Sequence, residues 1–175
     1  MAEFKVPEQK NLVFIGEAGS GKTETAVNLA LRMAREGGRR VHFFDMDQTK
    51  PLFRARDCEA QLEREGVVFH FQAQYLDAPT VASGVIETLR DEGSAVIMDI
   101  GGGSHGSHMI GQFSHLLNSA NTLVLYIVNP FRPWSGSRED IEVTMRRVLG
   151  AARLGSFRLV ANPNLGPETA NWQGR

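Results

Sequence analysis

The sequence predicts an α/β fold of three layers, in which a mainly parallel central sheet of about six strands is covered by helices on both faces. Three observations predict it. Short apolar runs of β type alternate with segments of helical periodicity along the whole chain. The first run, Asn11 to Ile15 (NLVFI), is apolar on both faces, as a strand in the middle of a parallel sheet must be. Two later strands end in acidic residues, where α/β sheets place their ligand-binding edge.

The elements follow in order. A helix is predicted from about Lys22, because Ala26, Leu29, Ala30, Met33 and Ala34 fall on one face and Gly37-Gly38 end it. Val41 to Asp45 is the second strand, and a short helix near Glu59 to Glu65 precedes a third strand at Val67 to Phe71. A helix around Thr80 to Arg90 sets Val81, Val85 and Leu89 on one stripe. Ala95 to Ile100 and Thr122 to Val128 are the fourth and fifth strands. Ser137 and Asp140 cap a helix whose inner face is Ile141, Met145, Val148 and Leu149, and Phe157 to Ala161 is the last strand.

At 175 residues the chain suits a single domain over residues 1–175 with a full core. Lys and Arg number 19 against 20 Asp and Glu, so no net field favours nucleic acid or an anionic membrane. The one cysteine, Cys58, excludes an intrachain disulfide and fits a reducing compartment. The polar N-terminus lacks the core of a secretory signal, and no apolar run approaches the roughly 20 residues that span a bilayer. A soluble cytoplasmic protein is the expectation.

Gly16-Glu17-Ala18-Gly19-Ser20-Gly21-Lys22-Thr23 fills the pattern G-x-x-x-x-G-K-[ST], between a buried-type strand and an amphipathic helix. Glycines let backbone N–H groups converge on an anion, and the helix that follows adds its positive end. This is the phosphate loop of a P-loop NTPase fold. Residues Gly16 to Thr23, with Glu24 at the start of the helix, are assigned to the phosphates of a nucleoside triphosphate. Lys22 supplies charge to the β and γ phosphates, and the Thr23 hydroxyl is a ligand for Mg²⁺.

Asp99 closes the strand AVIMD and precedes Ile100-Gly101-Gly102-Gly103. A carboxylate there serves the metal directly or through water, and the glycines let the loop approach the γ-phosphate and change path when it leaves. Asp45 and Asp47 share a face two residues apart in VHFFDMDQTKPLFR. Asp47, nearer the tip, is favoured for polarising the attacking water or holding a Mg²⁺-bound water; the alternative makes Asp45 a buried loop anchor and Asp47 a turn residue. The catalytic set is therefore Lys22, Asp47 and Asp99, and the metal set is Thr23, Asp47 and Asp99.

With these elements in register, the chain resembles the ParA/MinD/CobQ-type nucleotide-binding family of the SIMIBI class, in the wider group of nitrogenase iron protein and CO-dehydrogenase maturation ATPases. DMDQTKPLFRAR is similar to a D-x-D-x-x-x-P-x-F-R-x-R version from a little-characterised branch, and DIGGG resembles its switch II. YIVNPFRP and VANPNLGPET are also similar to that branch. The resemblance implies that Asp47 is the switch I aspartate, Asp99 the switch II aspartate, and Asn162 the asparagine that reads the purine edge. Dimerising members carry a lysine where this chain has Glu17, so the resemblance does not carry over the nucleotide-sandwich dimer, and a homodimer is left open. The sequence ends soon after the base motif, so a C-terminal helix that closes the base pocket in relatives is expected to be absent or trimmed.

His105, His108 and His115 follow the glycine run without a recognised metal spacing, and a helix beginning near His108 would separate them, so they read as solvated. Cys58 reads as a half-buried helix residue. Arg54, Arg56 and Arg132 form a candidate basic rim, and Trp134 a candidate lid or partner-facing aromatic.

The leading functional expectation is an ATPase switch that binds Mg·ATP, hydrolyses it slowly and acts on a protein or metal-centre client. ATP over GTP rests on the resemblance, supported weakly by the lack of an N-K-x-D motif. Two other classes fit the same phosphate loop: a small-molecule kinase or ATP-dependent ligase, and a regulatory subunit that holds nucleotide without turnover. Lys22→Ala is expected to lose most of the affinity for Mg·ATP in a fluorescent-analogue titration; an unaltered curve would remove the phosphate-loop reading.

Overall fold

The computed structural model describes residues 6–47, 55–71 and 84–165. Six parallel strands form one sheet in the order β3-β2-β4-β1-β5-β6, comprising β1 (Asn11–Ile15), β2 (Arg40–Met46), β3 (Val68–Phe71), β4 (Ser94–Ile100), β5 (Thr122–Val128) and β6 (Arg158–Ala161). The helices are α1 (Lys22–Glu36), α2 (Glu59–Arg64), α3 (Val85–Arg90), α4 (Gly103–His108), α5 (Ser114–Leu117) and α6 (Arg138–Ala152). The sheet grows from β1 toward β4, β2 and β3 on one side and toward β5 and β6 on the other. This reversal opens a crevice at the carboxyl end of β1.

Alternation along the strands divides the core in two. Leu12, Phe14, Val41, Phe43 and Ile97 face α1 and α2, where Ala26, Leu29, Ala30, Met33 and Leu62 meet them. Val13, Ile15, Phe44, Met46 and Met98 face the other way, against Val85, Leu89, Ile110, Val148 and Leu149. The predicted α1 stripe is therefore the buried one, with Val27 and Leu31 widening it. Ser137 caps α6, its Oγ accepting from the Asp140 N–H at 3.1 Å.

Three boundaries differ from the sequence expectation. A 3₁₀ turn at Ala55–Cys58 leads into α2. Thr80 and Val81 lie outside the described residues, and α3 is seen from Val85. The helix expected near His108 begins instead at Gly103, directly after the glycine run. A run of Gly, Ser and His has weak helix propensity, so the pattern did not reveal it. Its glycines allow close approach where bulkier helix formers would not fit: a Cβ on Gly106 would overlap the Gly101 carbonyl.

On the α3 side, His42 Nδ1 and His70 Nε2 lie 2.9 Å apart and share one hydrogen bond. The His70 ring stacks on Phe44 at 4.2 Å between centroids. Burial, with the charges of His42 and Arg40, pushes the His70 imidazole down to about 4, and burial lowers His42 as well. A base whose folded pKa is depressed stays neutral in the native state while the unfolded chain takes up a proton. Stability from His70 is thus complete above pH 6.5 and is lost as pH falls toward 4. His70→Phe keeps the stack, so its melting temperature is expected to fall less than that of wild type by a few degrees between pH 7 and pH 5. Thermal melts at the two pH values check this.

Candidate functional site

The register across the central strands builds one edge of the site. Asp45 pairs with Asp99, and Asp99 with Phe14, so both carboxylates stand in one row on the α1 face beside the end of β1. Gly16 leaves β1 there, and Gly16 to Gly21 carry the chain to the first turn of α1. Gly21 adopts φ 88°, and a Cβ on it would overlap the side-chain amide of Asn162. Only glycine is free of both penalties at that point.

Lys22 is 5% exposed, and its Nζ donates to the Glu17 carbonyl at 2.8 Å. Burial lowers its pKa from the ordinary value, against the opposing charges of Asp99, Asp47, Glu17 and Glu24. Asp99 is 1% exposed, and burial pushes its carboxyl up to about 7. Lys22 and the nearby Thr23 hydroxyl hold that rise back, and among the described residues neither Asp99 oxygen has a well-formed hydrogen bond. Ser20 Oγ in the same loop is also buried without a partner. Native proteins rarely leave such groups unmet unless a ligand, ion or water answers them. A hard divalent cation takes oxygen donors. Thr23, Asp99 and, beyond the tip of β2, Asp47 form such a set, so the residues present fit Mg²⁺.

Asp45 and Asp47 differ in their surroundings. Asp45 is buried: its carboxylate accepts from the Asp47 N–H at 3.1 Å and from Arg56 Nε at 3.1 Å. Burial raises its pKa and the Arg56 charge opposes that. Arg56 also donates to the Asp47 carbonyl at 3.0 Å and lies 3.9 Å over the Phe71 ring. It is therefore a clamp on the β2 tip rather than a free rim cation, and Arg54 lies outside the described residues. Asp47 reaches the glycine run, where a Cβ on Gly101 would stand 3.0 Å from its Oδ1.

The glycine run itself rests on the phosphate loop. The Gly103 N–H donates to the Gly16 carbonyl at 3.2 Å. A Cβ on Gly102 would come within 2.9 Å of Ala18 backbone atoms, so a side chain there would force the two loops apart. Glu17 directs its carboxylate to Arg147 of α6 at 2.5 Å. Glu24 is exposed at the first turn of α1.

Asn162, at the end of β6, donates from its side chain to the Ser20 carbonyl at 2.9 Å, and its backbone N–H bonds to the Val128 carbonyl at 2.7 Å. Arg132 Nε reaches the Gly19 carbonyl at 3.1 Å. Sequence reasoning missed Asn129, which is 1% exposed and joins the Asn164 carbonyl at 2.8 Å to the Phe131 N–H at 3.1 Å. The signal was the dipeptide Asn-Pro, which closes both β5 and β6. Trp134 lies in a 3₁₀ turn beside this loop and is partly exposed. His105, His108 and His115 are exposed, and among the described residues no three or more of His, Cys, Asp and Glu are grouped to hold a metal ion by themselves. Cys58 is half-buried and unpaired, with burial raising its pKa.

A model of the CobQ/CobB/MinD/ParA nucleotide binding domain matches residues 12–158. Among solved structures the chain is similar to the signal recognition particle receptor FtsY of Elizabethkingia anophelis, at 20% identity and a TM-score of 0.56 over 87% of this chain and 51% of that one. It is similar to chloroplast FtsY of Physcomitrella patens, at 19% identity and a TM-score of 0.59 over 91% and 52%. The cell division protein FtsY of Thermotoga maritima matches at 20% and 0.55, over 90% and 55%. The likeness at this identity is one of fold, and the chain spans about half the length of each. No curated protein sequence matches it. Among the described residues no helix is long and apolar enough to cross a membrane.

An acid whose folded pKa is raised destabilises the native state most at high pH, fully so above pH 7 for Asp99, and not at all below 3.8. Asp99→Asn should therefore stabilise the ligand-free protein at pH 8 by on the order of 1–3 kcal/mol, a gain that disappears near pH 4. Chemical denaturation at the two pH values checks this.

Proposed function

The chain belongs to the CobQ/CobB/MinD/ParA nucleotide-binding family, and we propose that it is a Mg²⁺-dependent ATP switch that hydrolyses its nucleotide slowly and acts on a protein or metal-centre client. One observation carries the reading. Lys22, Thr23 and a buried Asp99 that has no well-formed hydrogen bond among the described residues converge under a glycine loop at the carboxyl edge of β1. Backbone N–H groups of the loop and the start of α1 bind the phosphates. Lys22 leaves the Glu17 carbonyl to meet the β and γ phosphates, which are the stronger acceptors. Thr23, Asp99 and Asp47 hold Mg²⁺, whose charge supports in-line displacement at the γ-phosphate when it is bound. Asp47 orients the attacking water.

The switching part is the glycine run. It touches the phosphate loop at Gly16 and Ala18, and Asp47 at the β2 tip. A γ-phosphate entering between these loops must displace the run, and its loss lets the run return. Asn162 donates to the Ser20 carbonyl just before α1, and its role as the adenine reader rests on the family resemblance.

Asp47→Asn is expected to retain Mg·ATP binding within about threefold and to slow hydrolysis about 100-fold, because one positioned carboxylate is worth that order. Phosphate release at saturating ATP measures it; equal turnover by the variant would remove Asp47 from the mechanism.

A further inference from the structure

We propose that Arg147, acting through Glu17, sets the preference of this site for a nucleoside triphosphate over the diphosphate. The inference rests on the nucleotide reading above and adds a discriminating residue from outside the loop motif. It starts from a sign conflict in the sequence. The second position of the phosphate loop carries a carboxylate, and a bare negative charge beside a polyphosphate repels it.

The structure answers that conflict with one contact. The Glu17 carboxylate, 14% exposed, accepts from Arg147 at 2.5 Å, and Arg147 reaches it from α6, with 59% of its side chain in solvent. The carboxylate is also located along the loop. The Glu17 carbonyl takes the Lys22 ammonium, and a lysine at this place in the motif serves the β and γ phosphates. The Glu17 carboxylate is itself close enough to Lys22 to act on its charge, so it lies toward the γ end of the loop. Its other oxygen faces the glycine run, since a Cβ on Gly103 would lie 3.2 Å from Oε2.

Paired with Arg147, the carboxylate acts as one end of a short dipole whose field falls off quickly. Unpaired, it is a full charge beside the loop and the Lys22 that serves the γ-phosphate, the group that a triphosphate has and a diphosphate lacks. Loss of Arg147 must then weaken the triphosphate more than the diphosphate. An ordinary surface ion pair would change neither.

The test measures dissociation constants for Mg·AMPPNP and Mg·ADP by calorimetry at low salt, in the wild type, Arg147→Ala, Glu17→Gln and the double variant. Arg147→Ala should weaken the triphosphate analogue about 10-fold and the diphosphate about twofold or less, with the gap closing near 0.5 M salt. Glu17→Gln should restore triphosphate binding in the Arg147→Ala background, and Arg147→Lys should keep most of the discrimination. Circular dichroism confirms that each variant is folded, and Arg147→Gln replaces the alanine variant if that one is not. Equal loss for both nucleotides, no loss for either, or failure of Glu17→Gln to restore binding would overturn the proposal. A wild type that binds neither nucleotide would overturn the nucleotide reading itself, a result distinct from unchanged discrimination.

Discussion

The rest of the site depends on two opposite charges held in the core at the end of β1. Lys22 and Asp99 are both nearly inaccessible, and burial pushes each toward its neutral form. Neither is fully satisfied by the described residues: Lys22 settles on a backbone carbonyl, and the Asp99 oxygens, beside the Thr23 hydroxyl, have no well-formed hydrogen bond. A core of Leu, Phe, Ile and Val on either side gives these groups no alternative. Buried polar groups left in this condition cost stability, and an anion with a hard cation relieves both at once. The arrangement makes sense as a ligand site and poorly as a structural ion pair.

The fold holds that pair in place by register rather than by many contacts. Because parallel strands set Asp45, Asp99 and Phe14 in one row, the β2 tip, the glycine run and the phosphate loop all emerge at the same height. Two carboxylates abreast would repel, and Arg56 answers the outer one. The same guanidinium fixes the Asp47 carbonyl, so neutralising Asp45 and aiming Asp47 are one act. The glycine run then lies directly on the phosphate loop, packed through Gly102 and bonded through Gly103. Movement in either loop is felt by the other.

Much of this was legible in the sequence because it follows from local rules. The NLVFI run, the G-x-x-x-x-G-K-[ST] spacing and the helical stripe from Ala26 to Met33 each specify one element, and together they specify strand, loop and helix. That Asp47 stands nearer the tip than Asp45 was legible from their positions along the strand. What stayed hidden depends on contacts across the chain. The Arg56 clamp spans 11 residues from Asp45, and the Glu17 to Arg147 pair spans 130. No pattern of charge along the sequence marks such partners. The early start of α4 was hidden for a different reason: its sequence, GSHGSH, follows packing space rather than helix propensity. Asn129 was hidden because Asn before Pro reads as a turn, and only the fold shows it joining the two loops beyond β5 and β6.

In the proposed function, the buried Lys22, Thr23 and Asp99 form a site for a metal-bound triphosphate. Calorimetric titration of the wild-type protein with ATP, with and without Mg²⁺ at pH 8, tests it most directly. A saturable event with one nucleotide per chain, markedly tighter with the metal present, is the expected result. Absence of binding at millimolar ATP, or binding indifferent to Mg²⁺, would contradict it.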